Sequence, residues 1–198
     1  MKKYTALLLM LLMPAVMAQP TTVEELADLI AKRQKISRIL ADTVQELRFQ
    51  DLYIDYPRTW LIPPPKVEIY SEREYANAFC DRDNIVDDEI MIQCVEAEVT
   101  EAFYSKGEGI FYFRDDIDLT TSYGVGTVMH EAVHLYQDRR GLLDLKCPIW
   151  AEYEAVRLEE KLLEKFGHWI SPKDKAYYAR WRNMYAVYLN KEKTDCKD

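Results

Sequence analysis

Histidine, glycine and cysteine are all sparse in this chain of 198 residues, which holds three, six and four of them. The chain has no internal repeat and no low-complexity linker, so a single domain with its own core is the economical organisation. No apolar run is long enough to cross a bilayer. The Leu-rich stretch over residues 6–13 falls well short of the roughly 20 residues that a spanning helix needs. No C-x-x-C pair is present, which argues against a zinc site built from cysteines. Basic charge is also in deficit, with 26 Lys and Arg against 34 Asp and Glu. A chain this acidic is unsuited to nucleic acid or anionic lipid as its main partner.

What is present begins at the N-terminus. Lys2 and Lys3 precede the short apolar run, and Val16-Met17-Ala18 ends in small residues. That order predicts a secretory signal peptide over residues 1–18. Its removal takes away two bases and no acid, moving the formal charge from −8 to −10. No Cys follows the cut, so a lipid-anchor signal is missing. The expected mature chain is one domain over residues 19–198, periplasmic or secreted, with no stable membrane insertion. In an exported chain, Cys80, Cys94, Cys147 and Cys196 suit two disulfides. Three pairings are possible. Cys80–Cys94, closing a short loop, and Cys147–Cys196, tying down the tail, are preferred.

Periodicity predicts a mainly helical α+β domain. Val23, Leu26, Leu29, Ile30, Ile36, Ile39, Leu40, Val44 and Leu47 recur at helical spacing over residues 22–49, with Thr21 or Thr22 as cap. Prolines 57 and 63–65 break regular structure. Strands are expected at 66–70, 90–94, 101–104 and 110–113, the last antiparallel to its predecessor across a turn at 105–109. A short helix is expected at 72–79, and an acidic loop at 81–89. A helix starting at Thr120, Thr121 or Ser122 runs to about Arg139, where Gly141 ends it. Gly124 and Gly126 weaken its start or permit close packing. Two more helices follow, over about 149–166 with Gly167 as stop, and from Ser171-Pro172 to about 190.

The third of these five helices carries His130-Glu131-Ala132-Val133-His134. Residues four apart share a helix face, so the two imidazoles can address one metal ion. Glu131 stands beside them, positioned to take a proton from a metal-bound water. Catalytic zinc normally has three protein ligands and one open position. The remaining histidine, His168, lies past Gly167 at a helix end and is a poor third ligand. On the next helix, Glu152 and Glu159 project near the middle of the apolar face. Glu154 falls on the opposite side with Arg157, Lys161 and Lys165, as a solvated residue. A carboxylate on a buried face needs a partner, which a metal would provide. Glu152 is therefore the preferred third ligand. Pairing of Glu152 with Arg180 or Arg182 is the alternative. Glu159 could support the site or meet a basic side chain.

These motifs resemble the gluzincin group of zinc metallopeptidases. The matching residues are His130-Glu131-Ala132-Val133-His134, then Glu152 in Glu152-Tyr153-Glu154-Ala155 on the next helix. The stretch from His130 to Gly167 is similar to small exported bacterial metallopeptidase-like proteins of unknown substrate. Shared features are the His-Glu-x-x-His helix, a Gln soon after it, a Gly, a Cys and Glu-x-Glu-Ala. The resemblance implies a zincin-like fold, Zn2+ held by His130, His134 and Glu152, and Glu131 as general base. It also implies a small antiparallel sheet flanking the helix, with 110–113 as the edge strand that holds a peptide or protein substrate. Some gluzincins carry Asp four residues after the ligand glutamate; here Val156 stands there. Spacing in the wider group would also admit Glu154 as ligand.

The expected activity is that of an exported zinc-dependent hydrolase, a peptidase foremost. Tyr123, Tyr136, Tyr153, Tyr177, Tyr178, Tyr185 and Tyr188 are candidates for stabilising an oxyanion. An exported binding or structural protein with a non-catalytic zinc site is the rival expectation.

Overall fold

A computed structural model describes residues 22–51, 66–71, 101–144 and 148–191. The expected signal peptide, the helix at 72–79, the strand at 90–94 and all four cysteines lie outside these residues. The described order is α1 (Val23–Asp51), β1 (Lys66–Tyr70), β2 (Ala102–Ser105), β3 (Ile110–Arg114), α2 (Ser122–Arg139), α3 (Pro148–Lys165) and α4 (Pro172–Lys191), with a 3-10 turn at Leu142–Asp144. The fold is α+β and mainly helical.

Local chemistry explains each helix end. Thr22 and Glu25 form a reciprocal capping box on α1, each side chain bonded to the other's backbone N–H at 3.1 Å. Thr121 Oγ1 accepts from the Gly124 N–H at 3.0 Å and caps α2. Gly141 (φ 70°) follows α2, and Gly167 (φ 76°) follows α3, in the left-handed region that glycine enters freely. At Gly167 the bonds His168 N–H to Leu163 O and Gly167 N–H to Glu164 O complete a Schellman stop. Pro172 opens α4 behind the Ser171 cap.

The sheet has the order β1-β3-β2. β2 and β3 are antiparallel, as expected from their turn, but β1 runs parallel to β3. The expected purely antiparallel sheet is thus corrected to a mixed one. The edge position expected for 110–113 is corrected too. β3 is central, and β2 is the strand beside α2. The reason lies in burial: Phe111, Tyr112 and Phe113 are consecutive buried residues, the pattern of a strand covered on both faces.

Two apolar clusters meet at α2. One stripe of the helix, Val128, Ala132 and Leu135, packs with Ile36, Leu40 and Val44 of α1 and with Val67, Phe111 and Phe113 of the sheet. A second stripe, Val125, Met129, Val133 and Tyr136, packs with Ala155, Leu162 and Leu163 of α3 and Tyr178 of α4. Only the second half of α1 behaves as the expected packing helix. Val23, Leu26 and Ile30 are exposed among the described residues.

Candidate metal centre

Two faces of α2 are consumed by core, and the third carries the chemistry. Gly126, His130, His134 and Gln137 follow each other at four, four and three residues, which is one continuous stripe at about 100° per residue. It faces α3, whose Glu152 and Glu159 meet the two imidazoles. The sequence places both histidines here because Met129 and Val133, their neighbours, are drawn into the helix–helix core.

The histidine Nε2 atoms converge with the carboxylate of Glu152. His130 Nε2 lies 3.1 Å from His134 Nε2 and 3.2 Å from Glu152 Oε2, and His134 Nε2 lies 3.2 Å from Glu152 Oε1. Ligands about 2.0–2.1 Å from one zinc ion at tetrahedral angles stand ~3.3 Å apart. The contacts are close to that spacing, with each ring meeting a different oxygen of Glu152, and these three residues form a group able to hold a metal ion. Glu152 occupies the solvent side: its side chain is 39% exposed, against 17% and 12% for His130 and His134.

The far side of each imidazole fixes its tautomer. Gln137 is fully buried and donates from Nε2 to the Ala151 carbonyl at 2.9 Å and to Glu154 at 3.1 Å. Its oxygen must then face His134 Nδ1, 2.9 Å away, which donates to it. His130 Nδ1 lies 3.2 Å from Glu159 Oε2, an acceptor. Both Nδ1 atoms thus carry hydrogen, which leaves Nε2 of each ring as the atom that takes a proton or a metal ion. The two Nε2 atoms stand 3.1 Å apart, so two neutral rings with both lone pairs facing inward would repel without a cation between them.

The electrostatics agree. Burial opposes charge on His130, but hydrogen bonds to Glu152 and Glu159 outweigh it and hold its pKa well above the ordinary range. Burial likewise opposes charge on His134, and Glu152 again wins, raising it. Burial alone would raise Glu152; the two histidines instead hold its carboxyl far below the usual range. The pocket attracts positive charge, whether a proton or a metal.

Glu131 points elsewhere on the helix, toward β2. It is 6% exposed, and burial raises its pKa above the usual carboxylate value, with His134, His130 and Glu152 within electrostatic reach. The backbone N–H of Tyr104 in β2 bonds to it. The Tyr104 hydroxyl donates to Asp138 at 2.7 Å, tying the strand to α2. The bond from Arg114 N–H to Glu101 O at 2.9 Å sets the alternation of this antiparallel pair. Ala102 and Tyr104 therefore turn their N–H and C=O groups away from β3, to the outer edge.

Other candidates sort clearly. His168 sits half-buried in the turn after α3, outside the converging group. Arg182 pairs with Glu160 and Arg180 is exposed, so neither forms the alternative partnership with Glu152. Glu154 is corrected from a solvated salt-bridging residue to a half-buried acceptor for Gln137. Val156 lies in the core, and Glu159 from the next turn reaches His130 instead. Arg140 donates to the Tyr136 hydroxyl at 3.4 Å, and Tyr123 packs edge-on against Tyr177. Tyr153 is half-buried, and the Tyr188 side chain lies outside the described residues. Burial, then the charge of Glu152, raises the pKa of Tyr185, which stacks on Trp181. The part played by Gln137 is what the residue pattern left unassigned. Its one signal was a polar residue three positions after His134, on the same helix face.

No protein-family model, no curated protein and no solved structure matches this chain. Among the described residues no helix is long and apolar enough to cross a membrane.

Proposed function

We propose that this protein is an exported zinc-dependent hydrolase that cleaves an amide bond in a peptide or protein, with a gluzincin-like site. The observation that carries the proposal is the convergence of His130 Nε2 and His134 Nε2, 3.1 Å apart, on the Glu152 carboxylate, a different oxygen of which lies 3.2 Å from each ring. Two imidazoles and a carboxylate are the ligand set of peptidase zinc, leaving one position for water. Held by His130, His134 and Glu152, a zinc ion would supply Lewis acidity and would acidify a bound water towards a pKa of about 7. Glu131, a buried acid with a raised pKa one residue from His130, takes the water's proton and returns it to the leaving amine. The outer edge of β2 offers the backbone groups of Ala102 to an extended substrate. Burial and then the charge of Glu152 raise the pKa of Tyr185, so its hydroxyl stays protonated and is a candidate donor for the tetrahedral oxygen. The leader-like residues 1–18 support export.

The test starts with zinc stoichiometry of the purified mature chain, then compares wild type with Glu131→Gln on a peptide library. Zinc retained and turnover lost is the expected pair of results. Undiminished turnover of a responsive peptide by Glu131→Gln would refute the assigned base. A folded chain with no affinity for zinc would refute the metal site.

A further inference from the structure

The chain of contacts behind His130 does not stop at Glu159. Glu159 is 7% exposed and lies on α3, one turn beyond Val156. Its Oε2 faces His130 Nδ1 at 3.2 Å, and its Oε1 accepts from the Tyr178 hydroxyl of α4 at 2.6 Å. The second distance falls in the short, charge-assisted range for O–H to carboxylate, about 2.5–2.7 Å. Tyr178 is 1% exposed, and burial followed by the charge of Glu159 drives its pKa far above the phenol range, so it remains the donor. Among the described residues no Lys or Arg side chain pairs with Glu159; Arg182 pairs with Glu160 and Lys165 with Glu46. A buried carboxylate is costly unless paired, and His130 and Tyr178 are the partners this one has in the structure.

Gly126 makes the arrangement possible. It precedes His130 by one turn of α2 and faces the same two groups. A Cβ there would run into Glu159 Oε1 and would stand 2.8 Å from the Tyr178 hydroxyl and 3.2 Å from Leu163 Cδ1. The bare backbone lets a carboxylate and a phenol fit between three helices and turn toward the imidazole.

We infer that Gly126, Glu159 and Tyr178 form one positioning unit for the metal ligand His130, through which the last helix sets the affinity of the metal site. This rests on the metal-centre reading above. Glu159 fixes the Nδ1–H tautomer and the ring angle of His130, so that Nε2 meets the metal without reorientation. Tyr178 acts only through Glu159, by holding its carboxylate in that rotamer. Partners of this kind typically contribute 10–100-fold to metal affinity.

The experiment measures zinc affinity of the mature chain by chelator competition, with the apo fold of each variant checked by circular dichroism. Glu159→Gln should weaken zinc binding 10–100-fold. Tyr178→Phe should weaken it in the same direction. The double variant should bind no worse than Glu159→Gln alone, because a residue that acts through another adds nothing once that one is gone. Glu160→Gln removes an α3–α4 ion pair that touches neither histidine, and should leave zinc affinity unchanged. Unchanged affinity in Glu159→Gln, additive losses in the double variant, or an equal loss in Glu160→Gln would each overturn the inference while leaving the metal site standing. A folded wild type that takes no zinc would instead overturn the metal-centre reading itself.

Discussion

Gly126→Ala sets helix propensity against site geometry. Alanine inside a helix is favoured over glycine by about 1 kcal/mol, so on an exposed face this change would stabilise the protein. Here the new methyl meets Glu159 and Tyr178. The Tyr178 hydroxyl, 2.8 Å from the added carbon, must retreat by about 0.6 Å to reach ordinary contact, and Glu159 further still. The bond from His130 Nδ1 to Glu159 is already 3.2 Å long, so a shift beyond ~0.3 Å breaks it. Overpacking costs about 1–3 kcal/mol, and weakening a hydrogen bond to a charged group about 1.5–3. Less the ~1 kcal/mol of helix propensity, the apo protein should lose about 1.5–5 kcal/mol, a fall in Tm of roughly 3–20 °C at this chain length. Zinc affinity should drop 10–100-fold. Thermal melts with and without zinc, together with chelator competition, read both quantities. Gly124→Ala is the comparison. Its Cβ would strike the backbone carbonyl of Asp118, which cannot turn aside. That variant should lose stability more severely, yet bind zinc normally in whatever fraction folds. A Gly126→Ala protein that is more stable than wild type and binds zinc equally well would refute the packing argument.

Other expectations follow from the same distances. Glu152→Ala should abolish stoichiometric zinc, whereas Glu154→Ala, which removes only one acceptor of Gln137, should retain it by metal analysis. Gln137→Met keeps the volume but leaves His134 Nδ1–H and the Ala151 carbonyl without their partner. It should cost about 1–3 kcal/mol in a denaturant titration and weaken zinc 10–100-fold. The pH dependence has a definite sign. His130 and His134 have raised values in the folded apo protein, so their contribution to its stability is complete below about pH 6.5 and is lost as pH rises through those values. Zinc requires both nitrogens deprotonated, so its affinity rises over the same window. The difference in Tm between zinc-loaded and chelator-stripped protein should widen from pH 5.5 to 8. A gap that narrows instead would contradict the assignment.

Much of the site was legible before any fold was known. The interval of four between His130 and His134 sets both on one helix face whatever surrounds them, because 3.6 residues per turn is a property of the backbone. Helix ends were legible for the same local reason: Thr121, Gly141, Gly167 and Ser171-Pro172 act on their own turns. The apolar phase of α3 picked out Glu159, which is buried, whereas Glu152 and Glu154 are both half-buried and differ in the side chains they meet. Glu154 was misjudged because its environment is decided by Gln137, a side chain on another helix.

Strand order was not legible. Residues 101–104 and 110–113 both hold enough β-formers to be strands, but their pairing partners are not written in either stretch. β1, about 40 residues earlier, settles it by pairing with β3 and leaving β2 as the edge. Nor could a linear pattern show that Glu159, not the residue at 156, would reach His130, or that Tyr178 would bind the other oxygen of Glu159. Spacing along one helix is set by bonds four residues apart. Contacts between helices depend on how cores of unequal bulk pack, and here a glycine at 126 lets three helices close on one carboxylate.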